Sequence, residues 1–143
     1  MQADSIALLG ECTAKIDLSL SAIDRLLPNI KDRNLRERLQ EHMADQKFLR
    51  IHACTLLNCY GGREKSPGAW QKGLSRLKYN ARLALRNDDT TIAYLVAENC
   101  DSGVKHLSRC QNRHCAAAPD AIQISQELIR CQEGLSARLR PFL

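Results

Sequence analysis

At 143 residues, with 44% hydrophobic and 26% charged residues, the chain is long enough to bury one core without disulfides or metal and too apolar to be disordered. Its net charge of +5 admits an acidic partner without requiring one. Its apolar runs fall far short of the roughly 20 residues that cross a bilayer, which argues against a membrane span. Aromatic residues make up only 4%, a share suited to helical bundles built on Leu, Ile and Ala. The opening MQADSIALLGECTAK has no basic start and its apolar part is broken by Glu11, so a secretory signal is not expected. The seven cysteines, at 12, 54, 59, 100, 110, 115 and 131, are accordingly expected to be reduced thiols of a cytoplasmic protein.

In chain order, a first helix is expected to open at Asp4 or Ser5, either of which can cap the free amides of its first turn. Ile6, Leu9, Thr13, Ile16, Leu20, Ile23, Leu27 and Ile30 then recur at steps of three and four. Pro28 should end or kink this helix near Leu27, because it lacks an amide donor. Asp32-Arg33-Asn34 is a short connection with two candidate caps, which makes the first two helices antiparallel neighbours. Asn34 to Tyr60 contains no Gly or Pro and stops against Gly61-Gly62. Its stripe of Leu35, Leu39, His42, Gln46, Leu49, Ala53, Leu56 and Tyr60 predicts a second helix. The stripe turns polar at His42 and Gln46, with His52 beside it, and polar groups on a buried face must be satisfied within the bundle or offered to a ligand.

GGREKSPG reads as a loop. A further helix is expected over 69–86, with Trp70, Leu74, Leu77, Ala81 and Leu85 inward. Asn87-Asp88-Asp89-Thr90 is both a stop signal and a new N-cap. Next comes Thr91 to about Asn112, with Ile92, Leu95 or Val96, Asn99, Gly103, Leu107 and Cys110 inward. Pro119 suits a first helical position and Asp120 a first turn, opening a last helix that runs to about Leu139 with Ala121, Ile124, Leu128, Cys131, Leu135 and Leu139 inward. No segment alternates at period two long enough for a strand. The expectation is a single all-α domain over 1–143, an antiparallel four-helix bundle with a break near 87–90.

Leu56-Leu57-Asn58-Cys59-Tyr60-Gly61-Gly62, a short Ser/Gly loop leading to Trp70, and Asn87-Asp88-Asp89-Thr90-Thr91-Ile92 opening another long helix occur in a characteristic order over roughly residues 15 to 110. In these features the chain resembles a bacterial ferritin-like four-helix-bundle family of unknown function, found in small stress-associated proteins. The resemblance implies a ferritin-like bundle, a homo-oligomer and a stress-related role. Many ferritin-like bundles hold two metal ions with inward Glu and His, often through Glu-x-x-His. This chain has no Glu-x-x-His. Where the related proteins carry glutamates after the Asp-Asp break it has Leu95, Val96, Ala97 and Cys100, and His52 stands where they carry a Glu of the second helix. Its metal ligands therefore look degenerate.

The metal candidates that remain are Asp17, His52, Glu98 and His106, an oxygen and nitrogen set that Fe or Zn would accept. His42, Gln46 and Asn99 complete a polar interior patch. His42 and His52, ten residues apart and about 15 Å along a helix, cannot share an ion. Cys110 and Cys115, with His114 between them, form a second group, either thiol and imidazole ligands for zinc or a pair of candidate reactive thiols at a helix end. The third is a basic row, Lys72, Arg76, Lys78, Arg82 and Arg86, with no acid between Glu64 and Asp88. It is a solvated face or a contact for nucleic acid or another acidic partner. No Gly-x-Ser-x-Gly elbow or phosphate-cradling loop occurs, so nucleophilic catalysis has no foothold. The leading expectation is a non-enzymatic bundle with a stress-related or scaffold role and no cofactor. It is assembled from several copies through apolar residues outside the stripes such as Phe48, Ile51 and Leu57. Beside it stand a di-metal oxidoreductase or metal-storage bundle and a nucleic-acid-binding module acting through 69–86.

Overall fold

The structure, a computed structural model, describes residues 1–64 and 88–143. The expected helix over 69–86, with its basic row Lys72, Arg76, Lys78, Arg82 and Arg86, lies outside the described residues. These residues form α1 (Gln2–Leu26), α2 (Arg33–Cys59), α3 (Asp89–Arg113) and α4 (Pro119–Leu139), with single 3-10 turns at Leu27–Asn29 and Arg140–Phe142. No strand occurs among them, and no described helix is long and apolar enough to cross a membrane.

The expected stop and start signals act at the helix ends. Pro28 sits in the 3-10 turn that ends α1, where its missing amide forfeits no helical bond. The Asp32 carboxylate accepts from Leu35 N at 3.0 Å to cap α2, and Asp88 accepts from Thr91 N at 2.8 Å to cap α3. Asp89 does more than open its helix. Its two carboxylate oxygens accept from Lys31 N at 2.9 Å and Asp32 N at 2.8 Å, tying the first turn of α3 to the turn between α1 and α2. At the far end of α2, Gly61 takes φ +77 and Gly62 N donates to Leu57 O at 2.8 Å, a left-handed cap that favours glycine. α1 opens two residues earlier than expected, at Gln2 after Met1. Ser5 serves a different helix: its Oγ accepts from Ala118 N at 2.8 Å, satisfying the amide of the residue that precedes α4.

Side-chain contacts set the pairing. Gln2 Nε2 donates to Tyr60 O at 2.7 Å and Arg50 Nε to Asp17 Oδ1 at 2.8 Å, between α1 and α2. Gln111 Nε2 donates to Ser125 Oγ at 2.6 Å and Ser136 Oγ to Asp101 Oδ1 at 2.9 Å, between α3 and α4. α4 also packs on α1 and α2, and α1 on α3.

The buried apolar residues fall into two clusters. One, at the Asp89 end, gathers Ile23, Leu26, Ile30, Leu35, Leu39, Ile92, Leu95, Val96, Leu135 and Leu139. The other, toward Gly62, gathers Leu8, Leu9, Ile16, Leu49, Ala53, Leu57, Leu107, Ala121 and Leu128. The expected stripes supply most of both. In α2 the inward residue is Leu57, fully buried, while Leu56 is only partly so, which corrects the expectation that Leu57 stands outside the main stripe. A helix of 3.6 residues per turn drifts against a strict seven-residue repeat, and over the 27 residues of α2 the inward position shifts by about one residue.

Candidate functional site

Each of the four described helices leaves its apolar stripe between the residues it gives to one cluster and those it gives to the other. Ser19 of α1, Gln46 of α2, Gly103 of α3 and Gln132 of α4 are all buried there, flanked by Lys15 and His42. Ser19 Oγ, Gln46 Oε1 and both polar atoms of Gln132 are buried with no hydrogen-bond partner among the described residues. Such groups cost of order 1–3 kcal/mol each when left unsatisfied.

Lys15 enters this polar layer because Gly103 has no side chain. A Cβ on Gly103 would stand 2.4 Å from Lys15 Cε. The ammonium contacts Asn99 Oδ1 at 3.2 Å and Asn99 O at 3.4 Å, and burial lowers its pKa to about 8 against the opposing pull of Cys100. His42 is lowered to about 4 by burial first, then by Arg138 and Lys15, so the ring is neutral at pH 7. Gln46 Nε2 lies 2.9 Å from its Nε2 and Cys131 Sγ 3.4 Å from its Nδ1. With the amide donating to Nε2, Nδ1 keeps the proton and donates it to the sulfur. Burial also raises Cys131 to about 11 and Cys100 to about 12, which keeps both as thiols. The layer thus presents one ammonium, one neutral imidazole, two amides, a hydroxyl and thiols.

A second cluster lies between α1 and α3. Glu11 Oε2 and His106 Nε2 are 3.1 Å apart, and Cys110 Sγ is 3.7 Å from the same nitrogen. The three ligand atoms all lie within 4.8 Å of one another, the one such group of His, Cys, Asp or Glu among the described residues. Glu11 and His106 reach solvent while Cys110 is buried. Fully buried Cys12 lies behind them, its pKa raised to about 12 by burial first and then by Cys110 and Glu11.

The residues expected to hold metal are dispersed among different partners. Asp17 pairs with Arg50, whose other nitrogen meets Glu64 Oε2 at 2.6 Å. His52 is exposed, its ring 4.5 Å from that of Phe48. Glu98 is half-buried on α3, and His106 turns to Glu11. Of the polar patch, His42 and Gln46 are buried together and Asn99 binds Lys15. The thiol pair separates as well, Cys110 facing the α1 side while Cys115 is exposed in the turn after α3. All seven cysteines are free. His114 lies 3.2 Å from Asp4.

No family model matches the chain, and no curated protein or solved structure does either.

Sequence reasoning missed Lys15, Ser19, Gln132 and Glu11. A charged or amide residue at helical spacing reads as outward-facing, and only the close approach permitted by Gly103 or the neighbouring helix turns it inward. The pair His106-x-x-x-Cys110 was visible as an i, i+4 spacing that puts two ligands on one face. Its third member comes from a helix ninety-five positions away.

Proposed function

We propose that the chain is a non-enzymatic helical bundle with the helix order of ferritin-like proteins, acting as a scaffold in a stress-related role and assembling with copies of itself. The helix order is supported by the cross-helix pairs. Gln2 with Tyr60 and Asp17 with Arg50 fit antiparallel α1 and α2, and Gln111 with Ser125 and Asp101 with Ser136 fit antiparallel α3 and α4. Asp89 binds the turn where α2 begins, so α2 and α3 run in the same direction, as in bundles with one crossover.

One observation supports the non-enzymatic reading: among the described residues, the mid-bundle layer holds a buried lysine ammonium and a neutral histidine beside amides. A cation placed there would meet the like charge of Lys15. Self-association is supported by Phe48 and Ile51, exposed three residues apart on one face of α2.

The test combines two measurements on the full chain. Added Fe(II) in air is expected to oxidise at the buffer rate, and light scattering at micromolar concentration is expected to give a multiple of the monomer mass. Stoichiometric iron oxidation that is lost in His42→Ala would refute the non-enzymatic reading. A monomer would remove the assembly.

A further inference from the structure

We propose that Glu11, His106 and Cys110 bind a single Zn(II)-class cation that clamps α1 to α3. The proposal goes beyond the scaffold reading and stands or falls separately from it.

The donor set is one carboxylate oxygen, one imidazole nitrogen and one sulfur, a combination that suits zinc and disfavours the hard cations magnesium and calcium. Around a tetrahedral zinc with bonds of about 2.0–2.3 Å, neighbouring ligand atoms stand roughly 3.3–3.7 Å apart. The separations of 3.1 Å between Glu11 and His106 and 3.7 Å between His106 and Cys110 bracket that range, and the third pair lies within 4.8 Å. Adjustments of a few tenths of an ångström in two side chains, and of an ångström or so in the third pair, complete the site.

All three ligands sit on long helices. His106 and Cys110 are one turn apart within α3, Cys110 is 5% exposed, and Glu11 projects from a helix whose next residue, Cys12, is fully buried. Three protein ligands with two of them at the surface leave the fourth position open to water. On binding, Cys110 gives its proton to solvent and bonds as thiolate, while His106 bonds through Nε2 with its proton on Nδ1. Cys12 is not part of this group of ligand atoms.

The test titrates Zn(II) into the full reduced chain by calorimetry, for the wild type and for Glu11→Gln, His106→Ala and Cys110→Ser, with Cys59→Ser and Cys115→Ser as controls at exposed thiols. One ion per chain is expected, with affinity at least about tenfold weaker in each ligand variant and unchanged in the controls. Co(II) in place of zinc should give a thiolate charge-transfer band in the wild type that Cys110→Ser abolishes. Glu11→Gln and His106→Ala alter groups that reach solvent, so the result does not hinge on whether the buried Cys110→Ser variant folds. No zinc bound at micromolar concentration, binding indifferent to Glu11 and His106, or a cobalt band that follows Cys59 or Cys115 would overturn the proposal.

Discussion

Replacing Lys15 by Met should stabilise the protein at neutral pH and remove a specific part of its pH dependence. Burial lowers the lysine from 10.5 to about 8. At about 1.4 kcal/mol per pH unit, holding the buried ammonium costs about 3 kcal/mol at pH 7. Met keeps a chain of similar length over Gly103 and carries no charge. It forfeits the two long contacts to Asn99, worth about 1 kcal/mol together because Asn99 is itself half-exposed and can be hydrated. The net gain is about 2 kcal/mol, or roughly 4–8 °C in Tm for a chain of this size. Between about pH 8 and 10.5 the unfolded chain still binds the proton that folded Lys15 has released, so wild-type stability rises with pH across that window. The advantage of Lys15→Met should therefore be full at pH 7 and shrink to within about 1 kcal/mol near pH 10.5. Urea denaturation followed by far-UV circular dichroism at the two pH values measures both quantities. A variant destabilised at pH 7, or a difference between the proteins that does not change with pH, would refute the picture of a charged lysine held in the layer.

His42 makes the complementary prediction on the acid side. Its folded pKa of about 4 lies below the unfolded 6.5, so its contribution is intact above pH 6.5 and is lost as pH falls toward 4, by about 3 kcal/mol; His42→Gln should flatten that part of the acid denaturation curve. Thiol titration of the native protein with a disulfide reagent should label exposed Cys59 and Cys115 rapidly, and buried Cys12 and Cys100, with thiols raised to about 12, only on unfolding. Leu57→Ala should cost about 3 kcal/mol in denaturant midpoint experiments, because that side chain is fully buried. Phe48→Ala should leave monomer stability within about 0.5 kcal/mol and be felt only through any assembly it supports.

For the described residues, the existence and type of the four helices and most of their ends were legible in the residues themselves; the start of α1 was not. Asp32, Asp88, Pro119 and the Gly61-Gly62 pair mark ends by local chemistry, and local chemistry survives into the fold. The polar interruption at His42 and Gln46 was legible too, since two polar residues in a long leucine stripe break its period. Even the i, i+4 relation of His106 and Cys110 needed only the helix repeat.

Tertiary structure alone decided what those groups meet. Asp17 was drawn to Arg50, His106 to Glu11, and Lys15 inward over Gly103, each by a neighbour on another helix. A helical period states which residues share a face; it carries no information about the register of that face against its partner. Convergence of four helices on one polar layer, and of two on one trio of ligand atoms, depends on that register and hence on packing.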